Sequence, residues 1–362
     1  GFLLWGSVPE PFTICKNIKM LPAGSYLKVT KDGLKQIQEY WSIPKAISLS
    51  MGHTAGVAAG EEDEYVLDAL MDTMKSHMVA DVPVGAFLSG GLDSSAVVAY
   101  AQEFNNNDLQ TFTLGFEEFK NRPIDEAPIA EIIAKSLGTQ HRCEIIDLED
   151  FENEFPQFLS SMDQPTIDGL NTWFISKATI QAGLKVVLSG LGGDELLGGY
   201  PTFHKIPETV QKLRVIRQIP WVGDIFRVLY TSLIATHQKP PYNGLGPKTA
   251  GLIKYGTSYD NAYQLYRGIF MPWELPHILD EDFMKQGFLS LQANKEEKPR
   301  SSDVSLQGFG KVAELEGSLY MRNQLLRDTD WVGMAHSLEI RVPLVDHILT
   351  EKIIGLALEG RI

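Results

Sequence analysis

Apolar and polar positions change their period several times along the 362 residues, and each change marks a new element. Gly1-Phe-Leu-Leu-Trp-Gly6 is a short apolar run that reads as a strand. Ser25 to Thr30 alternates, Asp32-Gly33 supplies a hairpin turn signal, and residues 36–41 return with the same period. Residues 45–63 are small, weakly patterned and end in an acidic cluster, which is linker composition. After them Val66, Leu70, Met74 and Met78 recur every four positions beside Leu67 and Met71, predicting an amphipathic helix.

The pattern then becomes one of alternation between short apolar runs and helical spacing. Residues 84–89, 109–116, 140–146 and 185–189 read as strands, helices are predicted over about 93–104 and 126–137, and two helical stretches cover about 150–183. Repeated β-α-β units with buried strands predict an α/β fold, a doubly wound and mostly parallel sheet flanked by helices. Beyond Tyr200 strand patterns fade, and about 205–235, 248–268 and 311–338 read as a helical C-terminal portion. Residues 295–303 read as an exposed loop.

Charge and composition remove several function classes. Lys and Arg number 32 against 46 Asp and Glu, a net charge of −14, and so acidic a surface repels phosphate backbones. A nucleic-acid partner is therefore not expected, although a local nucleotide pocket remains open. No apolar run approaches the roughly 20 residues that span a bilayer, so no membrane partner is expected either. Cys15 and Cys143 cannot build a disulfide framework; they read as packing residues of a protein in the reducing cytoplasm. The opening at Gly1, inside an apolar run and without a signal peptide, reads as a cut from a longer chain.

The densest chemistry lies in Phe87-Leu-Ser-Gly-Gly-Leu-Asp-Ser-Ser95, between a buried strand and a helix. Two glycines allow close backbone approach, serine hydroxyls can donate, and successive N–H groups at a helix start attract an anion. No lysine follows, so this is not a Walker loop, and no Gly-x-Gly-x-x-Gly fingerprint is present. Asp93 suits a magnesium ligand bridging to phosphate oxygens. Two glycines alone would describe an ordinary strand-to-helix turn with Asp93 as its cap. Likewise, Asp194-Glu195 alone could be first-turn acids favoured by the helix dipole. Glu339, Arg341 and Asp346 around Val-Pro could form a buried ion pair. His141 reads as a satisfied structural histidine.

The Ser89 to Ser95 segment resembles the pyrophosphate loop of the ATP pyrophosphatases, which split ATP into AMP and pyrophosphate. Ser189-Gly-Leu-Gly-Gly-Asp-Glu-Leu-Leu-Gly-Gly-Tyr200 is similar to the second signature of the glutamine-dependent asparagine synthetases. Met334-Ala-His-Ser-Leu-Glu-Ile-Arg-Val-Pro-Leu-Val-Asp346 is similar to the third. Gly115-Phe116, Asp125-Glu-Ala127 and Leu137-Gly-Thr-Gln-His141 fall in the family's order between them. The resemblance covers about 62–362, and residues 1–44 resemble the closing strands of that family's glutaminase domain.

The resemblance implies an adenine nucleotide α-hydrolase-like fold over 64–362, incomplete at its C-terminus, joined by the 45–63 linker to the glutaminase remnant at 1–44. It implies ATP and Mg2+ as cofactors. ATP and pyrophosphate would be held by Leu88, Ser89, Gly90, Gly91, Asp93, Ser94, Ser95, Leu114, Gly115, Ser189 and Gly190, and Mg2+ by Asp93 and Asp194. Catalytic roles would fall to Asp93, Asp194 and Arg341. The implied reaction is adenylation of a carboxylate, aspartate by default, then amidation by glutamine-derived ammonia to give asparagine. A homodimer is compatible with this. Three features depart from the family pattern. The glutaminase portion is reduced to its last strands, so this chain is not expected to cleave glutamine itself, and a later lysine-bearing segment has no counterpart. Leu191 stands where well-known members have glutamate in Ser-Gly-Glu-Gly. That leaves room for another acceptor on a cell-surface polysaccharide, a peptide or a secondary metabolite, and for a non-catalytic nucleotide-binding homologue.

Overall fold

The computed structural model describes residues 1–31, 33–105, 108–236, 246–297 and 306–362. They form two compact units, Gly1–Lys45 with Gly198–Asn323, and Ala46–Leu197 with Gln324–Ile362.

In the first unit β1 (Ser25–Thr30) pairs antiparallel with β2 (Gly33–Glu39), with Thr30 opposite Gly33; Asp32 lies outside the described residues. The opening apolar run is not a strand. Phe2–Trp5 makes one helical turn, closed by Gly6 in the left-handed region at φ 80°, where the Gly6 N–H donates to the Phe2 carbonyl at 2.7 Å. Four consecutive apolar residues serve a turn here because Leu4 is buried and Trp5 packs on Tyr263 at 6.0 Å, while the Leu3 and Leu4 carbonyls accept from Phe270 and Ile269. The predicted helices are present but segmented. Pro220 starts a fresh helix, Pro220–Thr236, after Thr202–Leu213 and a 3-10 turn at Arg214–Gln218. The second stretch resolves into Gly246–Gly251, Leu252–Tyr255 and Tyr259–Arg267. The first three residues of the loop expected at 295–303 instead continue the helix Glu281–Glu297, and 298–303 lie outside the described residues. At the centre of this unit Glu316 is fully buried. It accepts from Arg267 Nε at 3.0 Å, Tyr263 Oη at 2.9 Å and the Thr202 hydroxyl, which satisfies a charge that would otherwise be costly.

The second unit is built on β3 (Val84–Phe87), β4 (Gln110–Phe116), β5 (Gln140–Ile146), β6 (Val186–Leu188) and β7 (Glu339–Arg341). All pairings are parallel, in the order β5-β4-β3-β6-β7. Helices Leu92–Phe104 and Ala127–Leu137 connect β3 to β4 and β4 to β5; Leu148–Ser161 and Leu170–Gln181 lead on to β6. The α/β, parallel, doubly wound expectation therefore holds, with β7 as a fifth strand that the sequence pattern did not reveal. One core cluster gathers Ile146, Phe158, Trp173, Phe174, Trp331 and Val332; a second holds Phe112, Ile175 and Leu184. The linker expectation at 45–63 needs correction, because Ile43–Thr54 is a helix. Its small residues form a close helix contact. Ser50 Oγ accepts from the Gly355 N–H at 2.7 Å, and a Cβ on Gly355 would stand 2.6 Å from Thr54 Oγ1.

The strand order places the site. From β3 the chain winds outward through β4 and β5, then returns to β6 on the other side of β3 and on to β7. The winding reverses between β3 and β6, and in open parallel sheets ligands bind in the crevice at the carboxyl ends of such a pair.

Candidate active site

Two glycine-rich loops leave that crevice, one after β3 and one after β6. In the first, the Ser94 hydroxyl accepts from the Ser89 N–H at 3.1 Å and meets the Ser89 hydroxyl at 2.9 Å, while Ser89 Oγ accepts from the Gly91 N–H at 3.1 Å. The Ser95 hydroxyl donates to the Gly91 carbonyl at 2.7 Å. These bonds shape the turn, so the serines do structural work in the loop itself. Gly91 is the N-cap of Leu92–Phe104, and no side chain caps this helix. The first-turn N–H groups of an uncapped helix are available to an anion.

The second loop lies against that same helix start. Ser189 donates its N–H to the Arg341 carbonyl at 2.8 Å, and Ser189 Oγ accepts from the Leu191 N–H at 3.3 Å. A Cβ on Gly190 would stand 2.6 Å from the Ser94 nitrogen, and one on Gly193 would stand 2.5 Å from both carboxylate oxygens of Asp93. Gly192 has φ 101°, and a Cβ there would stand 2.5 Å from Val345. The glycines are thus required by close approach, which sets the Asp93 carboxylate against the start of Gly193–Leu197, whose first turn carries Asp194. Burial, and then the Asp194 carboxylate, push the Asp93 carboxyl above its ordinary range.

The other expected contact residues divide by strand. Leu88 is buried; its N–H donates to the Phe112 carbonyl at 2.8 Å and its carbonyl accepts from the Thr113 hydroxyl. Leu114 and Gly115 lie on β4, and a Cβ on Gly115 would stand 2.6 Å from Ile145 Cδ1 and 3.5 Å from Ala127 Cβ. Gly90 approaches Ile129, whose Cβ is 3.3 Å from the position a Gly90 Cβ would take. Ala127, Ile129 and Ile145 thus give the β4–β5 side an apolar wall, and the chain pattern showed Ile129 and Ile145 only as ordinary helix and strand residues. The half-exposed state of Ile129 and Ile145 is the signal that a single sequence lacks.

Arg341 commits two of its three guanidinium nitrogens locally. Nη1 donates to the His77 and Val79 carbonyls at 2.6 and 2.8 Å, and Nε donates to Glu339 at 2.7 Å. The guanidinium therefore holds the C-terminal end of Glu62–His77 against the edge of β7. The alternative of a buried ion pair fails, since the Glu339 side chain is 59 % exposed, and Asp346 instead caps His347–Leu358 by accepting from the Ile348 N–H at 2.7 Å. His141 Nδ1 meets the Thr111 hydroxyl at 3.0 Å, while its buried Nε2 has no protein partner, so that ring is only half satisfied. Cys15 and Cys143 are both free and exposed, not packing residues.

The order of these loops can be set beside known proteins. The family model of asparagine synthase matches residues 65–362. The chain belongs to the asparagine synthase family. It is 29 % identical over 357 residues to asparagine synthetase [glutamine-hydrolyzing] 1 of Bacillus subtilis (strain 168), covering 94 % of this chain and 50 % of that one. A putative asparagine synthetase [glutamine-hydrolyzing] 2 of Methanocaldococcus jannaschii is 36 % identical over 202 residues, 54 % of this chain and 37 % of its own. Asparagine synthetase B [glutamine-hydrolyzing] of Escherichia coli (strain K12) is 31 % identical over 228 residues, 55 % of this chain and 38 % of its own. The chain spans about half the length of the first of these relatives.

Within the asparagine synthase frame the donor set can be tested against a metal. No group of three or more His, Cys, Asp or Glu is placed to hold an ion among the described residues. A facing Asp93–Asp194 pair fits Mg2+, which takes one or two carboxylates and completes its shell with water and substrate phosphate. The Asp93 carboxyl, raised first by burial and then by Asp194, is a group that a bound cation would help to hold ionised.

Proposed function

We propose that this site adenylates a carboxylate with ATP, releasing pyrophosphate, and passes the acyl group to ammonia to form an amide. Asp93 facing Asp194 beside an uncapped helix start carries the reading. In it, Ser89 to Ser95, with Ser189 and Gly190, hold the phosphates, and the wall of Gly115, Ala127, Ile129 and Ile145 takes the adenine ring. Bound Mg2+ would neutralise the leaving pyrophosphate, and Asp93 and Asp194 would hold it. Arg341 acts as a positioning residue through the Ser189 loop and the end of Glu62–His77.

The default acceptor is aspartate and the nitrogen source glutamine, giving asparagine, AMP and glutamate in the cytoplasm. Leu191, an apolar side chain in the loop between β6 and Asp194, favours a second reading in which the acceptor is a different carboxylate. The deciding measurement is ATP–pyrophosphate exchange and product analysis with Mg2+, ammonia and candidate acceptors. AMP and pyrophosphate are the expected products; ADP and phosphate would overturn the reading.

A further inference from the structure

The helix Pro220–Thr236 is apolar on two sides, and only one of them is used within its unit. On the inner side Gly223 is buried, where a Cβ would stand 2.8 Å from Lys254 Cβ, and Arg227 lies over the Trp273 ring at 5.6 Å. Asp224, the helix's one carboxylate, is paired with Lys254 at 2.8 Å. The outer side holds Trp221, Ile225, Val228 and Leu229, which at 3.6 residues per turn fall within an arc of about 100°. Val215 and Ile219, in and just after the preceding 3-10 turn, are exposed as well. All six lie between 45 % and 77 % exposed. Single exposed hydrophobes are normal; a stripe of them along one helix marks a contact surface.

Charge selects the occupant. The chain as a whole carries −14, yet residues 205–255 hold eight Lys or Arg against two Asp or Glu, a net of +6. Lys212, Arg214 and Arg217 all fall within ten residues of Trp221. A second copy that met this stripe with its own would bring the same cations into the contact and repel it. An apolar stripe that opens with Trp and is bordered by cations suits an anionic bilayer surface, with the indole at headgroup depth. We propose that Pro220–Thr236 is an interfacial anchor that holds the protein reversibly on membranes rich in anionic lipid. The expectation of no membrane partner rested on the lack of a spanning run. Among the described residues no helix is long and apolar enough to cross a membrane, and adsorption to its surface requires none.

The test is flotation of the purified chain with vesicles of phosphatidylcholine containing phosphatidylglycerol, against vesicles of phosphatidylcholine alone, with sedimentation velocity run in parallel. Binding is expected to the anionic vesicles and to weaken as salt rises above about 0.1 M. The exposed-face pair Ile225→Glu with Leu229→Glu should cut partitioning about tenfold while leaving thermal melting and pyrophosphate exchange unchanged. Arg214→Gln should weaken binding to the anionic vesicles alone. No binding to anionic vesicles, binding that survives the double substitution, or a dimer that the double substitution dissolves in the absence of vesicle binding would each overturn the proposal.

Discussion

Burial and the facing carboxylate of Asp194 together hold the Asp93 carboxyl above its ordinary range. The same geometry should separate activity from stability. Asp93→Asn and Asp194→Asn are each expected to lower pyrophosphate exchange on the order of 100-fold, because each would remove a proposed ligand of Mg2+ facing developing charge. Without metal, Asp194→Asn should raise the melting temperature at pH 7, since it relieves like-charge repulsion that opposes folding. Exchange rates with Mg2+ and melting curves in EDTA check the two halves; a variant that loses both together would point to simple misfolding.

Gly190 and Gly193, two of the close-approach glycines, predict different failures. At Gly193 the added methyl of Ala meets carboxylate oxygens 2.5 Å away, and a side chain can swing aside. Gly193→Ala should therefore fold and lose exchange activity through a displaced Asp93. At Gly190 the methyl meets the Ser94 nitrogen at 2.6 Å, and backbone cannot yield as easily. Gly190→Ala should cost about 1–3 kcal/mol of stability as well, measured by urea unfolding.

These contacts also explain what could be read from the sequence. Strands β3 and β6 were legible because Val84, Ala86, Val186, Val187 and Leu188 are buried and flanked by turns, and the motif glycines stood out after both. Strand β7 was hidden because it has three residues, Glu339-Ile340-Arg341, with charges at both ends; only its pairing with β6 makes it a strand. The helix Ile43–Thr54 was hidden for the opposite reason. Ser50 and Thr54 read as linker residues, and they are small because Gly355 lies against them. The Asp93–Asp194 pairing belongs to neither segment's pattern: it requires β3 and β6, far apart in sequence, to be neighbours in a sheet whose strand order only the fold defines.

A second buried carboxylate predicts a pH dependence. Asp328 accepts from the Trp331 indole at 2.9 Å and from the Thr166 hydroxyl at 2.9 Å, yet burial, reinforced by Asp168, pushes its pKa from 3.8 up to about 6. A raised carboxyl pKa contributes stability below about pH 4, and that contribution is lost as pH rises through about 6. The shift corresponds to about 3 kcal/mol. Asp328→Asn can keep an acceptor for Trp331 and donate to the Thr166 hydroxyl. It should raise the melting temperature above pH 6 and flatten its pH profile between about 4 and 6.

Arg341 predicts a loss that is structural first. Replacing it with Ala leaves the His77 and Val79 carbonyls without their charged donor and frees the end of Glu62–His77. The expected cost is about 2 kcal/mol in urea unfolding, with reduced exchange activity that Arg341→Lys restores in part. Activity lost without any loss of stability would instead place the guanidinium on substrate.

Leu191 bears on the acceptor. It is half-buried, and its N–H is tied to Ser189 Oγ at 3.3 Å, so the residue sits within the loop that carries Gly190, Gly193 and Asp194. A glutamate there could take a proton from an incoming amine or balance a cationic intermediate; leucine can do neither. The groups proposed for phosphate and metal, Ser89 to Ser95 with Asp93 and Asp194, do not include its side chain. Leu191→Glu should accordingly leave pyrophosphate exchange within about threefold, since no proposed phosphate contact changes. Amide formation should shift toward aspartate, read as the ratio of asparagine made to AMP released. If exchange and amide yield both stay unchanged with every acceptor offered, the side chain at this position does not select the acceptor. Aspartate then becomes the better-supported acceptor, because the one residue that argued against it would be neutral.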